Sequence, residues 1–408
     1  MALALYLILL AVNACAVVVL AAFTVRRLIY GAAALFDPAS IPPPTPDQWP
    51  DLLVLIPCRN EATVIGRLLD ALSVQDYPKD HIRAILIDDA STDDTGRIAE
   101  ERAKSVDFLQ VLRRAEGGKG KSDALNEALA SEPWGELVAV FDADSVPAPD
   151  FLSRLAAHFG SAAISAATGM LKTLNPDDSA VSYFVYVEGL VHQRVTMRQA
   201  ARLGMTPAIL GTGYIIRRSD LRAEGGYKDI RLEDSELSVR LRAAGKRVVV
   251  DLSAKCGIEA PATVADYVRQ HTGWARGFNR VLAGNWQRLV SDPNLGFWTR
   301  IDALMFSSGY LDRAFLAAGL GITLINQFDR RFFFPWWLWA AILAAPIFQV
   351  LLCLIRERAP ARHFARLPLV LLLFPLDIAS ALVALFSDAT ARPTKWAKTP
   401  RRNDSGRG

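Results

Sequence analysis

The residues best suited to chemistry in this chain are carboxylates that follow apolar runs. Leu137-Val138-Ala139-Val140-Phe141 is unbroken by any polar residue, and Asp142-Ala143-Asp144 comes directly after it. Such a run reads as a strand buried on both faces of a parallel sheet, and open α/β sheets hold ligands at the carboxyl ends of their strands. On extended chain, carboxylates two residues apart point the same way. Asp142 and Asp144 can therefore share one hard cation, Mg²⁺ or Mn²⁺, together with substrate phosphates; plain acidic turns show the same spacing. Two more acidic pairs stand out: Asp88-Asp89 after Ala84-Ile85-Leu86-Ile87, and Glu233-Asp234 before a helix expected over Ser235 to Ala244. Asp234 there can cap the helix. Lys121 in Gly117-Gly118-Lys119-Gly120-Lys121-Ser122 reads either as a phosphate contact or as part of a solvated turn. The P-loop pattern itself fails, since the glycine it needs five residues before Gly120 is Ala115.

Three strands alternate with helices ahead of Asp142. Leu52 to Ile56 is a buried-strand run that Pro57 should stop, and a helix starts at Asn60-Glu61 with Val64, Ile65, Leu68, Leu69 and Leu72 on one face. The strand at Ala84 to Ile87 is followed by a helix that Thr92-Asp93-Asp94 can cap, then by a strand over Phe108 to Leu112 and a helix opening at Asp123. This alternation predicts an α/β fold with a doubly wound sheet. Further on we expect a strand near Ala163 to Met170, a long amphipathic helix around Ser179 to Arg202, and a strand Ala208 to Ile216 that contains Gly211-Thr212-Gly213. Val264 to Leu289 reads as a helix in which Tyr267, Trp274, Phe278 and Trp286 mix with Arg269, Arg276 and Arg280, a composition suited to a membrane interface.

The chain has 408 residues, 51% of them hydrophobic, and the apolar residues gather at the two ends. Ala2 to Val25 carries no charge and would reach about 36 Å as a helix, enough to cross a hydrocarbon core of about 30 Å. It lacks the basic start of a cleaved signal and ends in Arg26-Arg27, which places that end in the cytosol. Asp37 to Pro50 holds six prolines in fourteen residues and reads as a stiff linker. Three apolar segments follow the middle domain, roughly Ala303 to Phe328, Phe332 to Ile355 and Leu367 to Phe386. Three crossings would leave the tail outside, yet from Arg392 onward there are six Lys or Arg against one Asp, which argues for inside. One segment is then re-entrant, or Ala303 to Phe328, which contains Asp312-Arg313, is interfacial or split. The four cysteines form no CxxC or Cys/His cluster, so neither a disulfide framework nor zinc is indicated. The net charge of +4 sits near the membrane segments, favouring lipid headgroups over nucleic acid.

In the order of its motifs the chain resembles the membrane-embedded family 2 glycosyltransferases, the group of cellulose, chitin, hyaluronan and poly-N-acetylglucosamine synthases and ceramide glucosyltransferases. The match runs from about Leu52 to Trp286, with an echo at Trp396-Ala397-Lys398-Thr399. The resemblance implies a GT-A-like domain binding a UDP-sugar. Pro57 and Glu61 then belong to the first nucleotide loop, Asp88 and Asp89 to the uridine site, and Lys121 with Leu125-Asn126 to the phosphate-side helix. Asp142 and Asp144 match the donor and metal motif, and Gly211, Thr212 and Gly213 the acceptor-lining segment. Glu233 and Asp234 match the catalytic pair, Asp234 being the general base. Gln270 and Trp274 match the ends of the Gln-x-x-Arg-Trp signature, where tryptophan lines the acceptor site; the bland alternative for Trp274 is an interfacial anchor. The signature arginine is Gly273 here, leaving Arg276, three residues on, to reach the diphosphate.

We expect an N-terminal anchor at 1–27, a linker at 28–50, a cytosolic catalytic domain at 51–262, interfacial helices at 263–300, a C-terminal membrane region at 301–388 and a basic cytosolic tail at 389–408. The implied function is inverting, metal-dependent extension of a β-linked polysaccharide with export, at the inner (plasma) membrane, with accessory export or regulatory subunits as possible partners. Two other readings stay open. One is transfer of a single sugar to a ceramide, diacylglycerol or polyprenyl phosphate; the other is an inactive nucleotide-sugar-binding scaffold.

Overall fold

The structure, a computed structural model, describes residues 2–38, 43–326 and 334–389. The tail with Trp396 lies outside them. Eight strands form one mixed sheet: β1 (Leu52–Cys58), β2 (Ile82–Asp88), β3 (Leu109–Arg113), β4 (Leu137–Val140), β5 (Val146–Pro147), β6 (Ile164–Thr173), β7 (Tyr214–Arg217) and β8 (Arg247–Ile258). Their order is β3-β2-β1-β4-β7-β6-β8-β5. The first four are parallel, as their alternation with helices requires, and β7 runs antiparallel to both β4 and β6. The apolar runs are buried on both faces. In β1, Leu52, Val54 and Ile56 join the core on one side of the sheet while Leu53 and Leu55 join the core on the other, and all five are fully buried. Each such side chain stabilises the fold by about 1.5–3 kcal/mol relative to exposure. β4 divides in the same way, Leu137 and Ala139 against Val138 and Val140.

Local differences from the sequence reading have local causes. Pro57 does not stop β1; it pairs in register with Ile87, because proline's φ suits extended chain and one donor is lost only near the strand end. The helix expected from Asn60 begins at Ile65, since Asn60 takes φ 55° and the chain turns before it coils. The strand expected over Ala208 to Ile216 shrinks to β7, because Gly213 has φ +67° and ends the extended run ahead of it. The helix from Ser179 is capped by a Ser179/Ser182 box and continues through a π turn, His192–Met197, to Arg202.

Among the described residues, three helices are long and apolar enough to cross a membrane, within Leu3–Leu35, Trp336–Arg356 and Leu367–Asp388. The segment from Ala303 is split into Phe297–Ser307 and Leu311–Ile325, and the second piece, 15 residues, reaches only about 22 Å. The charges at the split are partnered: Arg26 with Asp302 at 2.7 Å, Arg27 with Asp312 at 2.7 Å and Arg313 with Asp377 at 2.8 Å. The arginine-rich helix Val264–Ser291 lies beside the second half of the last helix, Leu367–Ala389, bonded through Arg276 and Asn279 to Asp388.

Candidate active site

The carboxyl ends of β1, β2 and β4 open onto one side of the sheet, and the acidic pairs collect there. Asp142 and Asp144 occupy the turn after β4. Thr212 pins that turn: its hydroxyl accepts the Asp142 N–H at 2.9 Å and meets the Ser145 hydroxyl at 2.6 Å. Asp144 is buried, whereas the Asp142 side chain is 39% exposed. Two carboxylates held on one pinned turn suit a hard divalent ion.

Lys121 stands at the centre, on the first turn of the helix Lys121–Ser131. Its ammonium donates to the Gly211 carbonyl at 2.6 Å, pairs with Asp142 at 2.8 Å and lies 3.1 Å from Glu233. Burial disfavours its charge, but Asp142 and then Glu233 outweigh that and hold the ammonium above its ordinary range. A Cβ on Gly211 would lie 3.3 Å from an Asp234 oxygen and 3.6 Å from Lys121 Nζ, so Asp234 closes the same cluster. Asp234 does not cap a helix from Ser235 as expected: it is the second residue of the helix Glu233–Ala243, whose N-cap is Leu232, and it accepts the Ser235 N–H at 2.6 Å. Desolvation, then the Glu233 charge, push its carboxyl up to about 7, against the opposing pull of Lys121.

Asp88 and Asp89 end β2. Asp88 accepts the Ser91 N–H at 3.0 Å; Asp89 is held by Arg114 and by the Gly118 N–H at 2.8 Å, and so shapes the glycine loop that leads to Lys121. Glu61 is buried, its N–H donating to the Thr95 hydroxyl at 2.7 Å. Gln270, Trp274 and Arg276 lie on the arginine-rich helix. Trp274 is half-buried with its ring 4.7 Å from the His271 ring and packs with Phe278 against Tyr310, Ala381 and Ala384. Arg276 is buried and paired with Asp388 at 2.8 Å.

Sequence reasoning missed Arg231. A Cβ on Gly273 would lie 2.4 Å from the Arg231 guanidinium carbon, and one on Gly277 only 2.5 Å from Leu232. These two glycines, a turn apart, let the segment preceding Glu233 lie directly on the arginine-rich helix. Arg231 has no carboxylate partner among the described residues; burial, then Arg276 and Arg280, lower its pKa. The visible signal was Gly273 itself, where the signature has a large side chain.

Residues 50–277 match the family described as "Glycosyltransferase like family 2". The chain belongs to that glycosyltransferase family. Three relatives of this glycosyltransferase bracket its likeness. It is 31% identical over 244 residues to the probable glycosyltransferase YdaM of Bacillus subtilis (strain 168), covering 58% of this chain and 57% of that protein. Against the beta-monoglucosyldiacylglycerol synthase of Synechocystis sp. (strain ATCC 27184 / PCC 6803 / Kazusa) the identity is 28% over 288 residues, 70% and 59% of the two chains. Against the N-acetylglucosaminyltransferase of Rhizobium leguminosarum bv. viciae it is 27% over 326 residues, 77% and 73%. The chain thus spans little more than half the length of the first two, 57% and 59%. In fold it is similar to the mannosyltransferase PcManGT from Pyrobaculum calidifontis, solved in complex with GDP-Man and Mn²⁺, with TM-score 0.53, 23% identity and coverage of 84% of this chain and 99% of that one.

Proposed function

We propose that this glycosyltransferase moves a sugar from a UDP-sugar to an acceptor hydroxyl at a membrane surface, with inversion, extending a β-linked polysaccharide that leaves through the membrane helices. The observation that carries the chemistry is the Lys121 cluster, where one ammonium touches Asp142 and Glu233 beside an Asp234 carboxyl raised to about 7. A base with that pKa is matched to proton transfer near neutral pH.

In this reading Asp234 accepts the acceptor's hydroxyl proton as the oxygen forms its bond to the anomeric carbon. The bond to the diphosphate breaks on the opposite face, the diphosphate keeps the electron pair, and an α-linked donor gives a β-linked product. Lys121 and Arg231 are the cations that neutralise the departing diphosphate, Arg231 in place of the arginine missing at position 273. Asp142 and Asp144 would hold Mg²⁺ or Mn²⁺, which supplies charge neutralisation at the diphosphate when bound. Glu61, Asp88 and Asp89 frame the nucleotide end, and Gly211 to Gly213 with Gln270 and Trp274 the acceptor end.

We assign 51–262 to catalysis, 1–27 to the anchor, whose helix runs on to Leu35, 28–50 to the linker that this helix enters, 263–300 to the interface, 301–388 to the membrane region and 389–408 to the tail. Two candidate spans after the domain, with Leu311–Ile325 too short for a third, return the tail to the domain's side, which agrees with its basic charge. We therefore place both in the cytosol at the inner membrane, where export or regulatory subunits have access to the membrane helices.

A second reading, one sugar added to a membrane lipid, draws on the packing of Trp274 and Phe278 against the last apolar helix; in that reading the acceptor end would lie beside lipid. The product of purified, reconstituted enzyme given UDP-sugar decides: a retained polymer supports the synthase, a single glycolipid the lipid reading. Trp274→Ala should reduce transfer far more than donor hydrolysis; equal loss of both with loss of folded protein makes Trp274 an anchor.

A further inference from the structure

Three helices far apart in sequence bring Glu188, His271 and Asp377 together at the seam between the arginine-rich helix and the last apolar helix, one donor atom from each lying within 4.8 Å of the others. We propose that these residues bind a divalent transition-metal ion of the zinc type, at a site separate from Asp142 and Asp144.

The lone pairs left over by the surrounding hydrogen bonds carry the inference. His271 is fully buried, and its Nδ1 lies 3.0 Å from the Tyr310 hydroxyl. That leaves Nε2, which has no hydrogen-bond partner and faces a Glu188 oxygen at 3.7 Å. Asp377, 2% exposed, accepts from Arg313 Nε at 2.8 Å through Oδ2, and its Oδ1 has no hydrogen-bond partner either. A buried acceptor without a partner destabilises the fold, so two of them in one cluster whose donor atoms lie within 4.8 Å of one another call for an electrophile. Asp377 Oδ1 lies 3.5 Å from Nδ1, the nitrogen bonded to Tyr310, and Glu188 lies 3.7 Å from Nε2; both gaps are too long for good hydrogen bonds, so an imidazolium between the carboxylates would satisfy neither well.

The surroundings fit a metal in three ways. A ligating imidazole usually donates its other N–H to an oxygen, and the Tyr310 hydroxyl stands at Nδ1 to receive it, while the Tyr267 ring stacks on the imidazole at 3.8 Å. Arg313 balances Asp377, but Glu188 has no Lys or Arg partner among the described residues, so the site carries an uncompensated carboxylate. The Glu188 side chain is 30% exposed, which gives an ion a way in. One imidazole nitrogen with two carboxylates favours ions of the zinc type over Mg²⁺, whose sites are built from oxygen. A bound ion would fasten the helix carrying Gln270 and Trp274 to the membrane helix carrying Asp377.

The test uses the full chain in detergent, stripped with chelator and dialysed against Zn²⁺ or Co²⁺, with metal content and thermal midpoint as readouts. The parent and Asp144→Asn should each retain Zn²⁺ and melt higher with it, and Co²⁺ should give the visible absorption of mixed nitrogen and oxygen ligation. Glu188→Gln, a change at a partly exposed side chain, should lose the ion and the thermal shift, as should Asp377→Asn. If Asp377→Asn does not fold, Glu188→Gln and the Co²⁺ spectrum of the parent decide. No retained metal in the parent overturns the proposal, as does a Glu188→Gln protein that retains Zn²⁺ as well as the parent.

Discussion

The acid limb of the pH profile should belong to Asp234 and should move when its neighbours are changed. With its carboxyl at about 7, only about a tenth of Asp234 is ionised at pH 6. If the carboxylate is the base, kcat/KM should fall about tenfold for each pH unit below 7 and level off above 8. The sign follows from the causes. Desolvation and the Glu233 charge raise the carboxyl, and Lys121 lowers it. Removing the charge in Glu233→Gln takes away a raising influence and should shift the limb to lower pH; one unit corresponds to about 1.4 kcal/mol between the two protonation states. The assay is UDP release against pH at limiting donor and saturating metal, for the parent, Glu233→Gln and Asp234→Asn. Asp234→Asn should lose transfer by roughly a hundredfold or more and show no limb near 7, while binding UDP nearly as well as the parent. A limb that stays in place in Glu233→Gln and survives in Asp234→Asn would refute the assignment of the base.

Asp144→Asn should lose metal-stimulated UDP release, measured with and without chelator; unchanged release under chelation removes Asp144 from the metal site. Gly273→Ala should fold, because the atoms a Cβ meets at 2.4 Å are the far end of the Arg231 side chain, but it should displace that guanidinium and raise the donor KM several-fold, and Arg231→Ala should do the same more strongly than Arg276→Ala. Gly213→Ala should lower the thermal midpoint, losing about 1–2 kcal/mol to the left-handed backbone at φ +67°.

The placement of the acidic pairs at strand ends was legible in the sequence because its signals are local. A short apolar run bounded by turn residues fits a strand buried on both faces, and the split of Leu53 and Leu55 from Leu52, Val54 and Ile56 between two cores is that reading in three dimensions. Carboxylates placed just after such runs must fall at one edge of a parallel sheet, so Asp88, Asp89, Asp142 and Asp144 were found together. The first helix followed from length and hydropathy, but it runs on past the expected end at Val25 to Leu35.

Only the tertiary structure decided the contacts made between elements. Arg231 could not be singled out from its neighbours in the chain; its place depends on a helix more than thirty residues later presenting Gly273 where a side chain would collide. The fate of Arg276 was equally hidden, since its partner Asp388 is over a hundred residues away. Asp312-Arg313 read as a charge in a membrane segment or as a break, and the structure makes it a break whose two charges pair with Arg27 and Asp377 on other helices. The raised carboxyl of Asp234 likewise comes from burial and from Glu233 and Lys121 closing on it together. Periodicity records which face of an element is buried, and that much the sequence determined; which side chain meets which across the interface depends on packing distances that no spacing along the chain encodes.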